Sequence, residues 1–289
     1  MTKENFKAAF AIPLILLIAA GIAWAGSQGG SVVAGGLPLF ALAVVLSFLI
    51  NWLVFIPSYL YQTEKFFDIT GTLTYITLTV TTLLLAPQPD VRTYLVAALV
   101  IVWTVRLGTF LFRRIHKAGK DGRFDDLKPS FFRFLTVWTL QGLWVVFTMA
   151  AALVVITSST IVDFGVFAIV GLLVWLFGFT FEVVADAQKS RFRADPANKG
   201  KFIRTGLWSK SRHPNYFGEI VLWLGVAIIA LPVLRGWQWV ALISPVFVTI
   251  LLTKISGVPL LEKSADERWG GQEDYEEYKK NTPVLIPKL

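Results

Sequence analysis

The segment Ser211-Arg212-His213-Pro214-Asn215-Tyr216-Phe217-Gly218-Glu219 is the densest run of chemically capable side chains in this sequence. Asn215 and Glu219 stand four residues apart, which puts them on one face of a helix. Pro214 suits the first turn of such a helix. An amide both donates and accepts, while a carboxylate accepts. Together they make a clamp for a neutral carboxamide, the group a nicotinamide ring carries. Helix capping, with an ion pair from Glu219 to Arg212 or Arg106, would use the same residues.

A second set precedes it. Glu182 and Asp186 are again one helical turn apart and are followed by Arg193. Such carboxylates fix arginines or bind ribose hydroxyls; local salt bridging is the plainer use. Between Asp186 and Arg212 the cations Arg193, Lys201 and Arg204 alternate with Asn198, Gly206, Trp208 and Phe192. A lipid anchor needs no such interleaving. A pocket for a phosphorylated aromatic ligand does, with Arg and Lys on phosphates and Trp208 and Phe192 flanking a planar base. Arg106 falls inside an apolar stretch, where a charge marks a partner or a polar cavity unless it snorkels. Phe110, Arg113 and Arg114 follow it at helical spacing. Downstream, Glu262, Glu267, Tyr275 and Tyr278 read as an exposed amphipathic tail helix, and His116 as a solvated loop residue.

The elements that carry these residues are membrane helices. The 289 residues are 55% hydrophobic and 16% charged, against about 25% charged in a soluble domain. Disorder, collagen-like repeats and a disulfide scaffold are excluded. Cysteine is absent and histidine occurs twice, so there is no thiolate chemistry, and no metal centre is expected. Eight segments approach the ~20 apolar residues that cross a bilayer: Ala8 to Gly26, Pro38 to Tyr61, Leu73 to Ala86, Thr93 to Phe112, Leu135 to Ile156, Val162 to Val184, Ile220 to Leu234 and Trp237 to Ile255. The first lacks a cleavage site and reads as a span rather than a signal peptide. With eight spans, 24 of the 27 Lys and Arg residues fall on one side. Both termini and the long loops then face the cytoplasm. That distribution also accounts for the net charge of +8 without nucleic acid.

Arg212-His-Pro-Asn-Tyr-Phe-Gly-Glu219, preceded by Thr205-Gly-Leu-Trp208, resembles the membrane steroid 5-alpha-reductase superfamily, and within it the bacterial DUF1295 branch. Lys65-Phe-Phe-Asp-Ile-Thr-Gly71, Arg106-Leu-Gly108, Gly119-Lys-Asp-Gly-Arg-Phe124 and the tail from Glu262 to Pro287 extend the likeness over residues 60–289. The resemblance implies an all-α polytopic bundle: an extra N-terminal transmembrane helix in residues 1–36 and a seven-helix reductase-like domain in 37–289. It implies NADPH as cofactor, with Asn215 and Glu219 gripping the carboxamide and Asp186, Arg193 and Arg106 near the nucleotide. Arg114, Lys201, Arg212, His213, Tyr216 and Tyr278 complete the expected cofactor-binding set.

The steroid enzymes polarise a ketone with a glutamate and a tyrosine. Trp103 stands at the tyrosine position here, so steroid specificity is not expected. The expected activity is hydride transfer from NADPH to an activated C=C bond of a hydrophobic, enone-like lipid or steroid-like substrate, with Glu64 or Tyr61 polarising the carbonyl or giving the proton. Isoprenylcysteine and phospholipid methyltransferases share Arg-His-Pro-x-Tyr-x-Gly, which makes an S-adenosylmethionine-dependent methyltransferase the alternative. The Asn-Tyr-x-Gly-Glu form and the long basic loop favour a dinucleotide. A transporter would show repeat symmetry and midplane charges, and neither is evident. The expected partners are a hydrophobic small molecule and the bilayer, the expected setting a bacterial inner membrane, and the oligomeric state is left open.

Overall fold

The computed structural model describes residues 3–33, 35–118 and 121–288, with the backbone alone at 114–118. Its helices are α1 (Lys3–Gly26), α2 (Leu39–Leu60), α3 (Phe67–Leu85), α4 (Val91–Ala118), α5 (Phe131–Thr157), α6 (Val166–Ala194), α7 (Pro214–Ala230), α8 (Ile243–Ile250), α9 (Val258–Trp269) and α10 (Glu273–Asn281). Eight helical runs are long and apolar enough to cross a membrane, so the protein is an all-helical, multi-pass membrane type.

Most expected spans shift at their ends, and three of the shifts have a reason in the residues. The third starts at Phe67 rather than Leu73. Its threonines turn their hydroxyls onto carbonyls one turn back, Thr70 to Phe66 at 2.6 Å and Thr74 to Thr70 at 2.7 Å, so their polarity does not end the helix. The seventh starts at Pro214 rather than Ile220, so the chemically dense motif is itself the first turn of α7. The eighth is not one α-helix. A 3-10 run (Gly236–Leu242) leads into α8, a π-helical turn (Leu251–Ile255) and then α9.

The chain divides into two compact units, residues 1–167 with 229–243, and residues 168–228 with 244–289. In the first, α5 is the core, with 83% of its apolar window buried, and α1, α2, α3 and α4 pack around it. Side-chain amides and hydroxyls stitch these helices together, as apolar surroundings demand. Ser47 donates to the Gly142 carbonyl at 2.8 Å, Trp52 to the Thr139 hydroxyl at 3.0 Å, and Gln141 to the Phe67 carbonyl at 2.9 Å. Arg92, 1% exposed, spends its guanidinium on the carbonyls of Ile229 and Asp163 at 2.8 and 2.7 Å. α1 packs on α5, α2 and the 3-10 run.

The second unit is organised by glycine. A Cβ at Gly218 would meet Glu182 N and the Gly178 carbonyl at 2.6 Å. One at Gly178 would meet Leu222 N at 2.5 Å, and one at Gly225 would meet the Gly171 carbonyl and Trp175 N at 2.6 Å. The backbones of α6 and α7 therefore touch along an antiparallel seam that admits no side chain. Continued by one turn, this register sets Asp186 level with Pro214, at the start of the motif. Gly178→Val should destabilise the protein by about 3 kcal/mol, read as a lowered midpoint in tryptophan-fluorescence melts. Gly21→Val, where a Cβ would meet nothing within 4 Å, should melt like the parent. Equal midpoints for the two variants would refute the seam.

Candidate functional site

At the basic end of the second unit, α6, the loop after it, α9 and α10 enclose a cavity of about 130 Å³. Lys189, Arg193, Lys201, Arg212 and Arg268 bring cations to its wall, and Phe202, Trp208, Trp269, Tyr275 and Tyr278 bring rings. One wall comes from residues 189–213 and the other from residues 261–278.

The loop wall is built from short-range constraints. Gly206 holds φ +62°, and a Cβ there would strike the Gln188 side chain at 2.6 Å. That turn lets Gln188 accept from Leu207 N at 2.9 Å. It also drops Trp208 into a cluster with Ala185 and Ile203, its indole N–H donating to the Ala185 carbonyl at 3.0 Å. The Lys189 ammonium lies 4.2 Å over the Trp208 ring.

Glu262 joins the two walls. Its Oε2 accepts from Arg212 Nη1 at 2.5 Å, and its Oε1 meets His213 Nε2 at 2.7 Å. The backbone of the same two residues is held from behind by the chain end. Arg212 N and His213 N donate to the carbonyls of Pro283 and Val284 at 2.9 and 3.1 Å, and the Ser211 hydroxyl donates to Leu285 at 2.8 Å. His213 stacks on Tyr216 at 5.6 Å with an 8° tilt. Burial pushes the His213 pKa below its ordinary value, although Glu262 pulls the other way. The neutral ring therefore carries its proton on Nε2, facing the carboxylate, and leaves Nδ1 as an acceptor.

Three buried polar atoms in this short stretch have no hydrogen-bond partner among the described residues: Arg212 Nε, His213 Nδ1 and Asn215 Oδ1. They amount to one donor and two acceptors. A primary carboxamide offers the complement, one carbonyl oxygen and two N–H groups. Orphaned buried atoms of this kind call for a partner, an ordered water or a ligand.

Of the residues expected from sequence, Arg193, Lys201, Arg212, His213 and Tyr278 line the cavity. Asn215, Tyr216 and Glu219 occupy the first turns of α7, and Asp186 and Glu182, 6% and 2% exposed, lie on α6 across the glycine seam. Tyr278 is anchored rather than free: its hydroxyl donates to the Trp208 carbonyl at 2.6 Å, and burial raises its pKa. The exposed tail helix expected around Tyr275 is corrected. Tyr275 is 3% exposed, packs on Phe202 at 5.2 Å and donates to Asp266 at 3.0 Å. The aromatic spacing that suggested an amphipathic surface helix is the inner face of a docked one. Glu262 as the hub, and Lys189 and Arg268 as wall residues, were not foreseen. Glu262 stands 49 residues from His213, beyond any local spacing rule.

Tyr61, Glu64, Arg106 and Arg114 belong to the first unit. Tyr61 is 79% exposed at the end of α2. Arg106 is half-buried, 5.7 Å over the Phe110 ring. The side chains of Arg114, His116 and Lys117, and all of Lys120, lie outside the described residues. Glu64 is buried, with Lys128 Nζ at 2.5 Å and Asp121 N at 2.9 Å. Burial pushes its pKa up, but the bonds from Lys128 and Asp121 outweigh it and hold the carboxyl ionised, below its ordinary value. This pair pins a loop whose Phe124 packs against Phe67 and Phe134.

The histidine sets a pH signature. Above the ordinary value of 6.5 the imidazole is neutral in both the folded and the unfolded chain. Below it the unfolded chain takes a proton that buried His213 resists, so stability falls as pH drops through that value toward the folded one. His213→Asn should flatten this part of the stability profile in melts from pH 7.5 down to pH 5.5, and an unchanged slope would show that His213 does not carry it.

No curated protein and no solved structure matches this chain. A family model does match it over residues 54–282, from within α2 to just past α10. The chain belongs to the family described as Protein of unknown function (DUF1295).

Proposed function

We propose that this chain is a membrane-embedded oxidoreductase that uses NADPH to reduce an activated C=C bond, an enone, in a hydrophobic lipid or steroid-like substrate. The observation that carries the reading is the trio of orphaned atoms on Arg212, His213 and Asn215, complementary in kind to a carboxamide, beside a cavity walled by cations and rings. The likeness to the steroid 5-alpha-reductase superfamily supports it.

Arg193, Lys201 and Arg268 would hold phosphate oxygens, with Trp269 or Phe202 against the base. Arg212 Nε, His213 Nδ1 and Asn215 Oδ1 would take the carboxamide. Asp186 and Glu219, on the two helices of the α6–α7 seam, would make ribose or amide contacts. When bound, NADPH supplies the hydride. The chain's own part is positional. Glu262 fixes the His213 tautomer and the Arg212 rotamer, and the chain end fixes the backbone beneath them. Glu64 is held ionised by Lys128, so it serves as a loop anchor and leaves protonation of the substrate to another group or to water. The basic end would face the cytoplasm, in a bacterial inner membrane by the resemblance to the bacterial branch.

NADPH at a hundred times its Kd should stabilise detergent-purified protein by about 2.7 kcal/mol in thermal melts, and S-adenosylmethionine should not. Asn215→Ala should weaken NADPH binding by about tenfold, the worth of one buried hydrogen bond. A shift with S-adenosylmethionine alone would replace this reading with the methyltransferase one, and a shift with neither would end both.

A further inference from the structure

The cavity is too small, as it stands, for the ligand assigned to it. Its volume of about 130 Å³ compares with ~300–1,000 Å³ for sites that enclose drug-sized molecules. To enclose a dinucleotide the two walls must stand farther apart than they do here, so one wall must move. The two walls are not equally free to do so.

The wall from 261–278 is a helical hairpin, α9 and α10, turning at Gly270 and Gly271. Both of its ends are pinned. At the start, Gly257 sits just past the π-helical turn with φ −85° and ψ −92°, outside helix and strand values. A Cβ there would collide with the Leu252 carbonyl and come within 2.8 Å of Tyr216 Cε2. One turn on, Glu262 is tied to Arg212 and His213. At the far end, residues 283–285 are bonded to residues 211–213, and Lys288 N to the Lys210 carbonyl.

The tip is held differently. Trp269 donates one bond to the Gly200 carbonyl at 2.7 Å. Phe202 meets Trp269 and Tyr275 ring to ring. Arg204 and Asp274 form an ion pair of 3.6 Å whose side chains are both about half exposed. Exposed pairs and ring edges are weaker than buried, charge-assisted bonds and backbone ladders. Strong contacts at the base and weak ones at the tip are the construction of a flap.

We propose that the α9–α10 hairpin is a flap that swings about its two pinned ends, lifting at the Gly270–Gly271 tip to admit a nucleotide and closing Arg268 and Trp269 onto it. This rests on the nucleotide reading of the same cavity. It gives Arg268 and Trp269 a role that Arg193 and Lys201, on the opposite wall, do not share: they reach the ligand only after closure.

The chain contains no cysteine, so Arg204→Cys with Asp274→Cys places thiols only across the flap tip, at two exposed positions. Spin labels on this pair should report two distance populations in the free protein, and NADPH should deplete the shorter one, which is the spacing of this structure. In a separate sample, a short bismaleimide closed across the pair before NADPH is added should weaken binding by about tenfold or more, because the open state is removed. A longer bismaleimide closed across the pair after NADPH is bound should trap the nucleotide through gel filtration. A single narrow label distance that NADPH leaves unchanged would overturn the flap, as would full NADPH affinity in the pre-linked protein. Two label populations with no NADPH binding in linked or unlinked protein would uphold the moving hairpin and remove the nucleotide reading alone.

Discussion

One carboxylate organises the candidate site. Glu262 takes a guanidinium on one oxygen and an imidazole on the other, so a single side chain from α9 fixes two residues at the entrance to α7. Removing a partner from such a group leaves a desolvated charge with nothing to answer it. Its consequence is directional. Because Nε2 of His213 is committed to the carboxylate, Nδ1 is the ring's remaining polar atom. Because Nη1 of Arg212 is committed, Nε is left to point elsewhere. The orphan donor and the orphan acceptor beside Asn215 are both products of one ion-pair geometry.

Backbone contact does the rest. Where α6 and α7 meet at Gly171, Gly178, Gly218 and Gly225, no side chains intervene to let one helix slide on the other. In an apolar medium, where burying more hydrocarbon gains little, close backbone approach is a principal source of helix association. The seam therefore does two jobs. It holds the second unit together, and it brings the acidic end of α6 beside the polar start of α7. The first unit solves the same problem with hydroxyls and amides, and with the Arg92 guanidinium spent on two carbonyls.

Composition and charge made the membrane architecture readable: the eight apolar runs all exist, and the motif from Ser211 to Glu219 is where a helix begins. Boundaries were harder. The polar threonines of α3 look like loop residues until one sees the hydroxyls of Thr70, Thr72, Thr74, Thr79 and Thr82 satisfied by carbonyls one turn back. The eighth span reads as one apolar helix, yet it runs through a 3-10 stretch, α8 and a π-helical turn, and the helix breaks just past it at Ser256–Gly257. Periodicity cannot register a π-helical turn, and only the collision of a Cβ at 257 with Tyr216 and Leu252 shows why glycine is there. Among the site residues, those near in sequence were legible as a group. Arg212, His213 and Asn215 could be named from one short segment. The Glu262 link was not legible, because its partners lie about fifty positions away and its neighbours Glu267 and Asp266 look equally suitable. Tyr275 and Tyr278 showed the right spacing for a helix face, but spacing alone does not say whether that face looks outward or in.

The irregular segment at 283–288 has a meaning for biosynthesis. It is translated after all eight apolar runs, and it bonds to backbone about seventy residues earlier, Ser211 and Val284 being 73 apart. Until it emerges and docks, the amides of Arg212 and His213 lack the acceptors they have in the finished protein. Insertion of the helices and completion of the segment around Arg212 and His213 are thus separate events in time, joined by a long-range closure that is entropically slow to make. A nascent chain can be fully threaded through the bilayer and still hold an unfinished site.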